Sequence, residues 1–518
     1  MNIKKILFAF LSSFLIFAFV SCSTDSGDSD SSGIQYEGND EGIVYPLISK
    51  LRKKSLDFIF STQEIADINI TITQEQWNEL LSNYDQNPKN EEYVKADFKM
   101  EKGEFEWQIE NIGFRLRGNT SRCRPQLESG EFQQAHFKLD FEEFSETDKK
   151  LSGCIKGLNL KRFKDDPTYS REIYCYNYFR DCGIWTAPRA SYAHLFITIT
   201  DYNSSSESEN PLSSTGTVSA PKTLDYGIYA MIEDINKQFL KARTTEEIAG
   251  DFKNNKGSLW KCTYTAPGKA DFAGVEDSKF GVEKIYLDES KSERYTYDLK
   301  ADKKKFDEAK TQLAEFITEL NALSDSDTNA IKQFYEEKMD VDLFIKTYAI
   351  NVILGMDDDY WRNGNNFYFY FDKSGKAYFI PYDYDNTLGT GCFDDTATKN
   401  PLKWGEGGEN APLMEKLLKV PEYLSLYKKY LVEYSDSESG FEALKSQKRI
   451  KEWQQMIEPY IKSPDLTYGK SATTDHFEDS VAMWCPNYNN NYYKLLSGNE
   501  TNNYFMAKTK AIKYFVGE

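Results

Sequence analysis

The chain has 518 residues and a formal net charge of -19 at pH 7. This acidity argues against nucleic acid or anionic lipid headgroups as its main partner, because both attract basic surfaces. Aromatic residues make up 15% of the chain, which indicates either a strand-rich core or a surface that binds sugars or proteins. The three histidines are isolated and there is no CxxC pair, so the sequence does not predict a zinc site.

The first 22 residues have the three regions of a signal peptide. Lys4 and Lys5 provide positive charge, and residues 6–20 form an uncharged apolar run that is too short to span a bilayer comfortably. The run ends in the sequence FVSC, which resembles the lipobox of bacterial lipoproteins. That resemblance implies an exported protein, lipid-anchored through Cys22 to a bacterial membrane or the cell surface. The alternative is ordinary cleavage, with Cys22 as a bystander.

The rest of the chain is expected to divide into a tether and two lobes. Residues 23–60 are predicted to be a disordered tether and linker, because the first half of this segment is mostly Ser, Asp and Gly. Residues 61–245 are predicted to form a strand-rich N-terminal lobe, and residues 246–518 a helix-rich C-terminal lobe. A strand-rich half followed by a helix-rich half predicts an α+β fold with two lobes.

Local patterns predict the elements in chain order. β-branched or alternating apolar residues predict strands at 68–72, 105–116, 135–141, 192–200 and 226–232. A helix is predicted over 169–182, ending before Gly183, and the Ser-rich segment 203–217 is predicted to be a hairpin insertion or an exposed loop. Apolar spacing predicts two more helices over 303–323 and 341–354. Residues 366–371 and 377–380 flank a turn sequence and predict a hairpin.

Acids and asparagines cluster on both sides of this hairpin, within residues 356–389. Three consecutive acids, Asp357 to Asp359, precede it together with Asn363, Asn365 and Asn366, and Asp383 and Asp385 follow it. A hairpin brings its two ends together, so these oxygens should converge as Mg²⁺ requires. Asp358 and Asn363 also have the spacing of the protein-kinase catalytic loop. The alternative is a pair of Asx turns that cap the hairpin.

Several segments, taken in order, resemble the CotH family of spore-coat-type atypical protein kinases. The matching segments are residues 114–122 (FRLRGNTSR), 158–161 (LNLK) with Asp166 and Arg171-Glu172, 183–190, 227–229 (GIY) with Glu233, 259–261 (LWK), 358–370, and 381–385 (PYDYD). In the last segment Tyr382 stands where the family has tryptophan. Single segments are weak signals, but their common order is specific.

The resemblance implies a bilobal kinase-like fold that binds ATP with Mg²⁺ or Mn²⁺ and phosphorylates Ser or Thr of secreted or envelope proteins. It implies that Asp358 is the catalytic residue, although three consecutive acids leave the register open by one position. The metal ligands that it implies are Asp383, Asp385, Asn366 and Asn363. The nucleotide-binding residues that it implies are Arg117, Lys138, Lys161 and Glu233.

Alternatives remain open for several of these residues and for the function. Lys138 lies on an alternating strand and either faces water or contacts nucleotide. Lys161 has cationic neighbours at 162 and 164 that could replace it. Glu233 either pairs with a lysine, as a kinase helix glutamate does, or lies in a surface salt bridge. The alternative function is a non-catalytic surface lipoprotein that keeps the fold to bind a protein or glycan, or a structural lipoprotein of the envelope.

Overall fold

The computed structural model describes residues 54–144, 150–151, 153–164, 166–202, 220–244, 252–408, 410–467 and 493–517. The predicted signal peptide, Cys22 and the Ser-rich segment 203–217 lie outside these residues. Residues 54–59 are helical, and Leu56, Ile59 and Phe60 are buried. The predicted tether therefore extends too far, because its last residues pack on the folded body. No helix in the described ranges is long and apolar enough to cross a membrane.

Seven strands of the N-terminal half form a closed barrel. These strands are β1 (Ala66–Ile72), β2 (Val94–Lys102), β3 (Phe105–Leu116), β4 (Phe137–Asp140), β5 (Gly157–Lys161), β6 (Ala190–Tyr202) and β7 (Ala220–Glu233). Their order is β1-β2-β3-β4-β5-β7-β6, and the barrel closes because β6 pairs in parallel with β1, with Ile70 opposite Ile197. Closure leaves no sheet edge open for pairing with another chain.

Alternating side chains fill the barrel, and helix α1 (Gln74–Gln86) covers part of it. Along β1, Ile68, Ile70 and Ile72 are buried while the intervening side chains face outward. Helix α1 begins at a Thr73 cap, whose hydroxyl accepts a hydrogen bond from the Gln76 N–H. Trp77 on its inner face is fully buried. The strand predicted at 68–72 is confirmed.

A second sheet lies in the C-terminal half. Its strands are β8 (Ser258–Cys262), β9 (Phe280–Gly281), β10 (Tyr297–Leu299), β11 (Phe367–Phe371) and β12 (Ala377–Pro381), in the order β12-β11-β8-β10-β9. Strands β11 and β12 are the predicted hairpin, which is confirmed. Because β11 also pairs with β8, the hairpin is part of a five-stranded sheet that the sequence did not predict.

In the part of the chain that the structure describes, ten further α-helices follow α1. They are α2 (Arg171–Asp181), α3 (Lys237–Lys241), α4 (Phe306–Ala322), α5 (Thr328–Lys338), α6 (Val341–Leu354), α7 (Tyr360–Asn363), α8 (Pro412–Glu415), α9 (Pro421–Glu433), α10 (Ala443–Ile457) and α11 (Tyr504–Val516). Helix α6 has the predicted bounds: Asp340 caps its start, and Gly355 ends it with a left-handed φ of 76°. The mixed α+β class is confirmed, whereas the bilobal kinase-like layout stays a prediction.

The two halves are joined because α2 packs in the core of the C-terminal half. The Tyr174 ring lies 5.4 Å from the Phe505 ring and 6.5 Å from the Trp453 ring, measured between centroids. Its hydroxyl is 2.7 Å from the Ser446 hydroxyl. Helix α2 thus belongs to the N-terminal half in sequence and to the C-terminal core in space.

Candidate functional site

Lys161, the last residue of β5, lies at the centre of a cluster of carboxylates. Its buried Nζ lies 2.7 Å from Glu172 Oε2, 2.7 Å from Asp383 Oδ1 and 3.2 Å from Asp385 Oδ2. Burial alone would lower the pKa of Lys161, but the charges of these three carboxylates outweigh it and raise the pKa well above its ordinary value. Lys161 is therefore charged at all physiological pH values.

The three carboxylates differ in how strongly they hold a proton. Burial raises the pKa of Glu172 to about 7, against the attraction of Lys161. For Asp383 the opposite holds: burial opposes ionisation, but Lys161 and Arg117 attract the charged form and lower the pKa. Burial and the charge on Asp383 raise the pKa of Asp385, although Lys161 opposes this shift. Asp383 is thus the most strongly acidic of the three carboxylates.

The start of helix α2 positions Glu172. The Asp166 carboxylate accepts hydrogen bonds from the Ser170 and Arg171 backbone N–H groups at 2.8 and 2.7 Å, and from Arg171 Nη1 at 2.6 Å. It takes the place of an N-cap, since the Ser170 side chain makes no cap hydrogen bond. Glu172 was not among the predicted site residues, although an Arg-Glu pair at the start of a predicted helix was a usable signal.

Asp358 lies at the base of the hairpin and is surrounded by asparagine amides. Its carboxylate accepts hydrogen bonds from the Nδ2 of Asn363 at 2.6 Å, of Asn365 at 3.1 Å and of Asn366 at 3.0 Å. Burial raises the pKa of Asp358 to about 6, although the Asn363 and Asn365 amides oppose the shift. The charge on Asp383 also raises this pKa, so the two carboxylates on either side of the hairpin interact.

Asp357 and Asp359 make contacts of a different kind. Asp357 accepts hydrogen bonds from the backbone N–H groups of residues 392, 393 and 394 at 2.7 to 3.0 Å. Asp359 accepts hydrogen bonds from the Tyr348 hydroxyl, the Asn351 amide and the Arg362 backbone N–H. Both side chains are buried, whereas Asp358 is partly exposed. Of the three acids, Asp358 is therefore the one placed to meet a ligand.

Among the predicted nucleotide contacts, Arg117 faces this cluster, whereas Lys138 and Glu233 have other partners. Lys138 Nζ lies 2.9 Å from Asp234 Oδ1. Buried Glu233 accepts a hydrogen bond at 2.7 Å from Arg243, and the attraction of this arginine outweighs the effect of burial and lowers the pKa of Glu233 to about 2. Glu233 thus neither pairs with a lysine nor lies in a surface salt bridge, and both interpretations of it are wrong.

The four predicted metal ligands contact two different groups. Asp383 and Asp385 face Lys161, whereas the Asn363 and Asn366 amides face Asp358. In the ranges that the structure describes, no group of three or more His, Cys, Asp or Glu side chains is arranged to hold a metal ion. The Asp383 and Asp385 side chains are nevertheless 35% and 44% exposed, and such oxygens fit a hard cation such as Mg²⁺.

Two residues of the site have left-handed backbone conformations. Asn366 has a φ of 56° and Asp383 a φ of 65°. This conformation is unfavourable for residues other than glycine, although asparagine and aspartate tolerate it best. Such strain concentrates where a side chain must be held in a functional direction.

A comparison with protein-family models places most of the chain in one family. The model described as CotH kinase protein matches residues 114–492, a range that includes Lys161, Asp358 and Asp383. A search of curated proteins found no match. Because the match covers well over half of the sequence, the chain belongs to the CotH kinase family.

Proposed function

We propose that the chain is a CotH-type protein kinase that transfers the γ-phosphate of ATP to Ser or Thr residues of secreted or envelope proteins. The contact of Lys161 with Glu172 and Asp383 carries this proposal. In protein kinases a strand lysine pairs with a helix glutamate, and the metal-holding aspartate lies nearby. The same three residue types meet here on β5, α2 and the segment after β12, which supports a bilobal kinase-like layout.

Asp358 is proposed to take the proton from the acceptor hydroxyl. The hydroxyl oxygen forms a bond to the γ-phosphorus, the bond between that phosphorus and the bridging oxygen breaks, and ADP leaves. With a pKa of about 6, Asp358 is mostly ionised at neutral pH and can accept this proton. The amides of Asn363 and Asn365 hold the carboxylate in place.

Lys161 and Arg117 are proposed to contact the phosphates. Both are positively charged and both attract Asp383. Asp383 and Asp385 would hold Mg²⁺ or Mn²⁺, and when bound this ion neutralises charge on the phosphate oxygens. Neutralisation of that charge is the main contribution a protein makes to phosphoryl transfer.

The location of the protein is a further part of the proposal. The apolar run that ends at Cys22 supports lipidation of this cysteine and attachment to a bacterial membrane or the cell surface. Cys22→Ala should then abolish labelling with a clickable fatty acid and move the protein out of the membrane fraction. Unchanged labelling of this variant would contradict the proposed anchor.

One observation favours the non-catalytic alternative. Lys161 already contacts three carboxylates, so a phosphate must compete with them for its ammonium group. A surface protein that keeps the fold to bind a protein or glycan has no need for phosphate to displace these carboxylates from Lys161.

Nucleotide binding and phosphate transfer distinguish the two functions. ATP with Mg²⁺ or Mn²⁺ should raise the melting temperature of the body lacking the signal peptide, because a ligand that binds only the folded state stabilises it. Asp383→Asn should weaken metal-dependent ATP binding, whereas Asp358→Asn should keep binding and slow transfer of labelled phosphate by about 100-fold or more. Glu452→Gln, which changes an exposed carboxylate on α10, should alter neither. Wild type that binds no nucleotide with either metal would establish the alternative.

A further inference from the structure

Tyr382 connects the barrel to the second sheet beside the proposed phosphate site. It directly follows β12, and its hydroxyl accepts a hydrogen bond from Arg117 Nη2 at 3.1 Å. Arg117 follows β3 of the barrel. On the second sheet, Lys261 of β8 places its Nζ 5.4 Å from the centroid of the Tyr382 ring, within the range of a cation–π interaction. One tyrosine thus contacts two cations that come from different sheets.

Neither Arg117 nor Lys261 has a carboxylate oxygen within 4.0 Å among the residues that the structure describes. Both contact Tyr382, the residue directly before Asp383. Both side chains are only partly buried. Arg117 and Lys261 therefore carry charge beside Asp383 without a direct ion pair among the described residues, in contrast to Lys161.

The hydrogen-bond acceptor at position 382 decides whether the contact with Arg117 can form. An indole N–H can only donate a hydrogen bond, so tryptophan could not accept one from Arg117. A tyrosine hydroxyl accepts this bond and keeps an aromatic face for Lys261. Holding a guanidinium in place before a ligand binds reduces the entropy lost on binding.

We propose that Tyr382 is a positioning residue that holds Arg117 and Lys261 as a pair of cations for the terminal phosphates of a nucleoside triphosphate. This inference rests on the proposed function and deepens it. Lys261 would contact the phosphates directly. The Tyr382 hydroxyl would act indirectly, by holding Arg117.

Tyr382→Phe removes the hydroxyl and keeps the ring. We expect it to weaken ATP binding in the presence of Mg²⁺ by about 3- to 10-fold, the usual effect of losing one hydrogen bond. Adenosine binding should not change, because adenosine has no phosphates. In transfer assays the KM for ATP should rise while kcat changes less. Tyr382→Trp should resemble Tyr382→Phe, since it too lacks the acceptor.

A double-mutant cycle with Arg117→Ala tests whether the hydroxyl acts through the arginine. In that background Tyr382→Phe should cause no further loss of ATP affinity, measured by calorimetry. The matched control is Tyr370→Phe, which removes from the same hairpin a hydroxyl that bonds to the Asn254 carbonyl, and ATP affinity should stay at the wild-type value.

The outcomes separate this inference from the proposed function. Additive effects in the cycle, equal losses of ATP and adenosine affinity, or wild-type affinity in Tyr382→Trp would each overturn the positioning role while leaving nucleotide binding intact. Wild type that binds no nucleotide would overturn both the proposed function and the inference that rests on it.

Discussion

Three aspartates are consecutive at positions 357 to 359, and burial raises the pKa of each to about 6. Their contacts nevertheless differ. Asp357 bonds to the backbone of the segment at 392–394, and Asp359 bonds to side chains of α6. Only Asp358 is partly exposed. A shared pKa shift therefore does not identify the functional acid, whereas the hydrogen-bond partners and the exposure do.

The first prediction concerns the pH dependence of catalysis. Because Asp358 must be ionised to accept a proton, kcat/KM should rise with pH around a midpoint near 6 and level off above pH 7. Asn365→Ala removes an amide that stabilises the carboxylate, so the midpoint should move to higher pH. The measurement is kcat/KM for labelled phosphate transfer from pH 5 to pH 8.

The control for this shift is Asn78→Ala, which removes an exposed amide of α1. Its midpoint should equal that of the wild type. If the midpoint of Asn365→Ala equals that of the wild type, a group other than Asp358 controls the fall of kcat/KM at low pH.

At the scale of single residues, some contacts of the candidate site follow from the sequence and others do not, for identifiable reasons. Asp358 and Asn363 are close in sequence, so their spacing was informative. Glu172 reaches Lys161 only because β5 and α2 fold against each other, a contact that no local pattern reports. Lys138 and Glu233 have partners in Asp234 and Arg243 that depend on how the strand ends are arranged in space.

At the scale of elements, the start of α2 explains why Asp166 precedes Arg171-Glu172 in the segment that resembles the CotH family. Arg171 is fully buried, and the Asp166 carboxylate is its charged partner. The same carboxylate receives the first free N–H groups of the helix. The orientation of Glu172 towards Lys161 therefore depends on Asp166.

The second prediction is that Asp166→Ala destabilises the protein and weakens ATP binding. The change removes the carboxylate partner of a buried guanidinium and the acceptor of two backbone N–H groups, and loss of a partner from a buried ion pair costs about 3–5 kcal/mol. Urea unfolding measures this cost. Asp288→Ala removes a similar local cap from an exposed turn and should change stability by less than about 1 kcal/mol. Similar effects of the two substitutions would contradict the proposed role of Asp166.

Elements that the local sequence specifies were predicted, whereas pairing between distant strands was not. Helix α6 was predicted because its apolar residues have helical spacing, and the β11–β12 hairpin because a turn sequence separates its two strands. Closure of the barrel was not predicted, since β1 and β6 pair across more than a hundred residues. Such pairing depends on the whole topology rather than on any local signal.

At the scale of the whole molecule, His194 links barrel strands to a C-terminal segment. Its Nε2 lies 2.8 Å from Asp225 of β7, its Nδ1 lies 3.6 Å from Asp67 of β1, and its ring contacts Tyr460. Burial alone would lower the pKa of His194, but hydrogen bonds and charges from the two aspartates outweigh it and raise the pKa to about 9.

The third prediction follows from this raised pKa. The folded state binds the proton more tightly than the unfolded state, so the stabilisation is complete below about pH 6.5 and is lost as pH rises towards 9. After allowance for screening at the exposed Asp67, the loss should be about 1–2 kcal/mol. The difference in unfolding free energy between wild type and His194→Asn should shrink by that amount from pH 6.5 to pH 9. A constant difference would show that His194 does not titrate in this range.

The last prediction concerns the expected boundary between residues 245 and 246. Helix α2 lies before this boundary, yet Tyr174 and Phe179 are fully buried in the core that the C-terminal half supplies. Each buried aromatic covers about 150–250 Å², so exposing two of them would cost about 8 kcal/mol or more. This cost is comparable to the whole stability of a typical domain, about 5–15 kcal/mol.

A fragment of residues 54–245 should therefore show no cooperative unfolding transition by circular dichroism, although it contains all seven barrel strands. Co-expression with residues 246–518 should restore a folded complex, because the second fragment supplies Trp453 and Phe505, whose rings contact Tyr174. Cooperative unfolding of the first fragment alone would contradict this expectation and establish the barrel as an independent domain. Failure of the two fragments to associate would instead indicate that chain continuity near residue 245 is needed for α2 to reach its core.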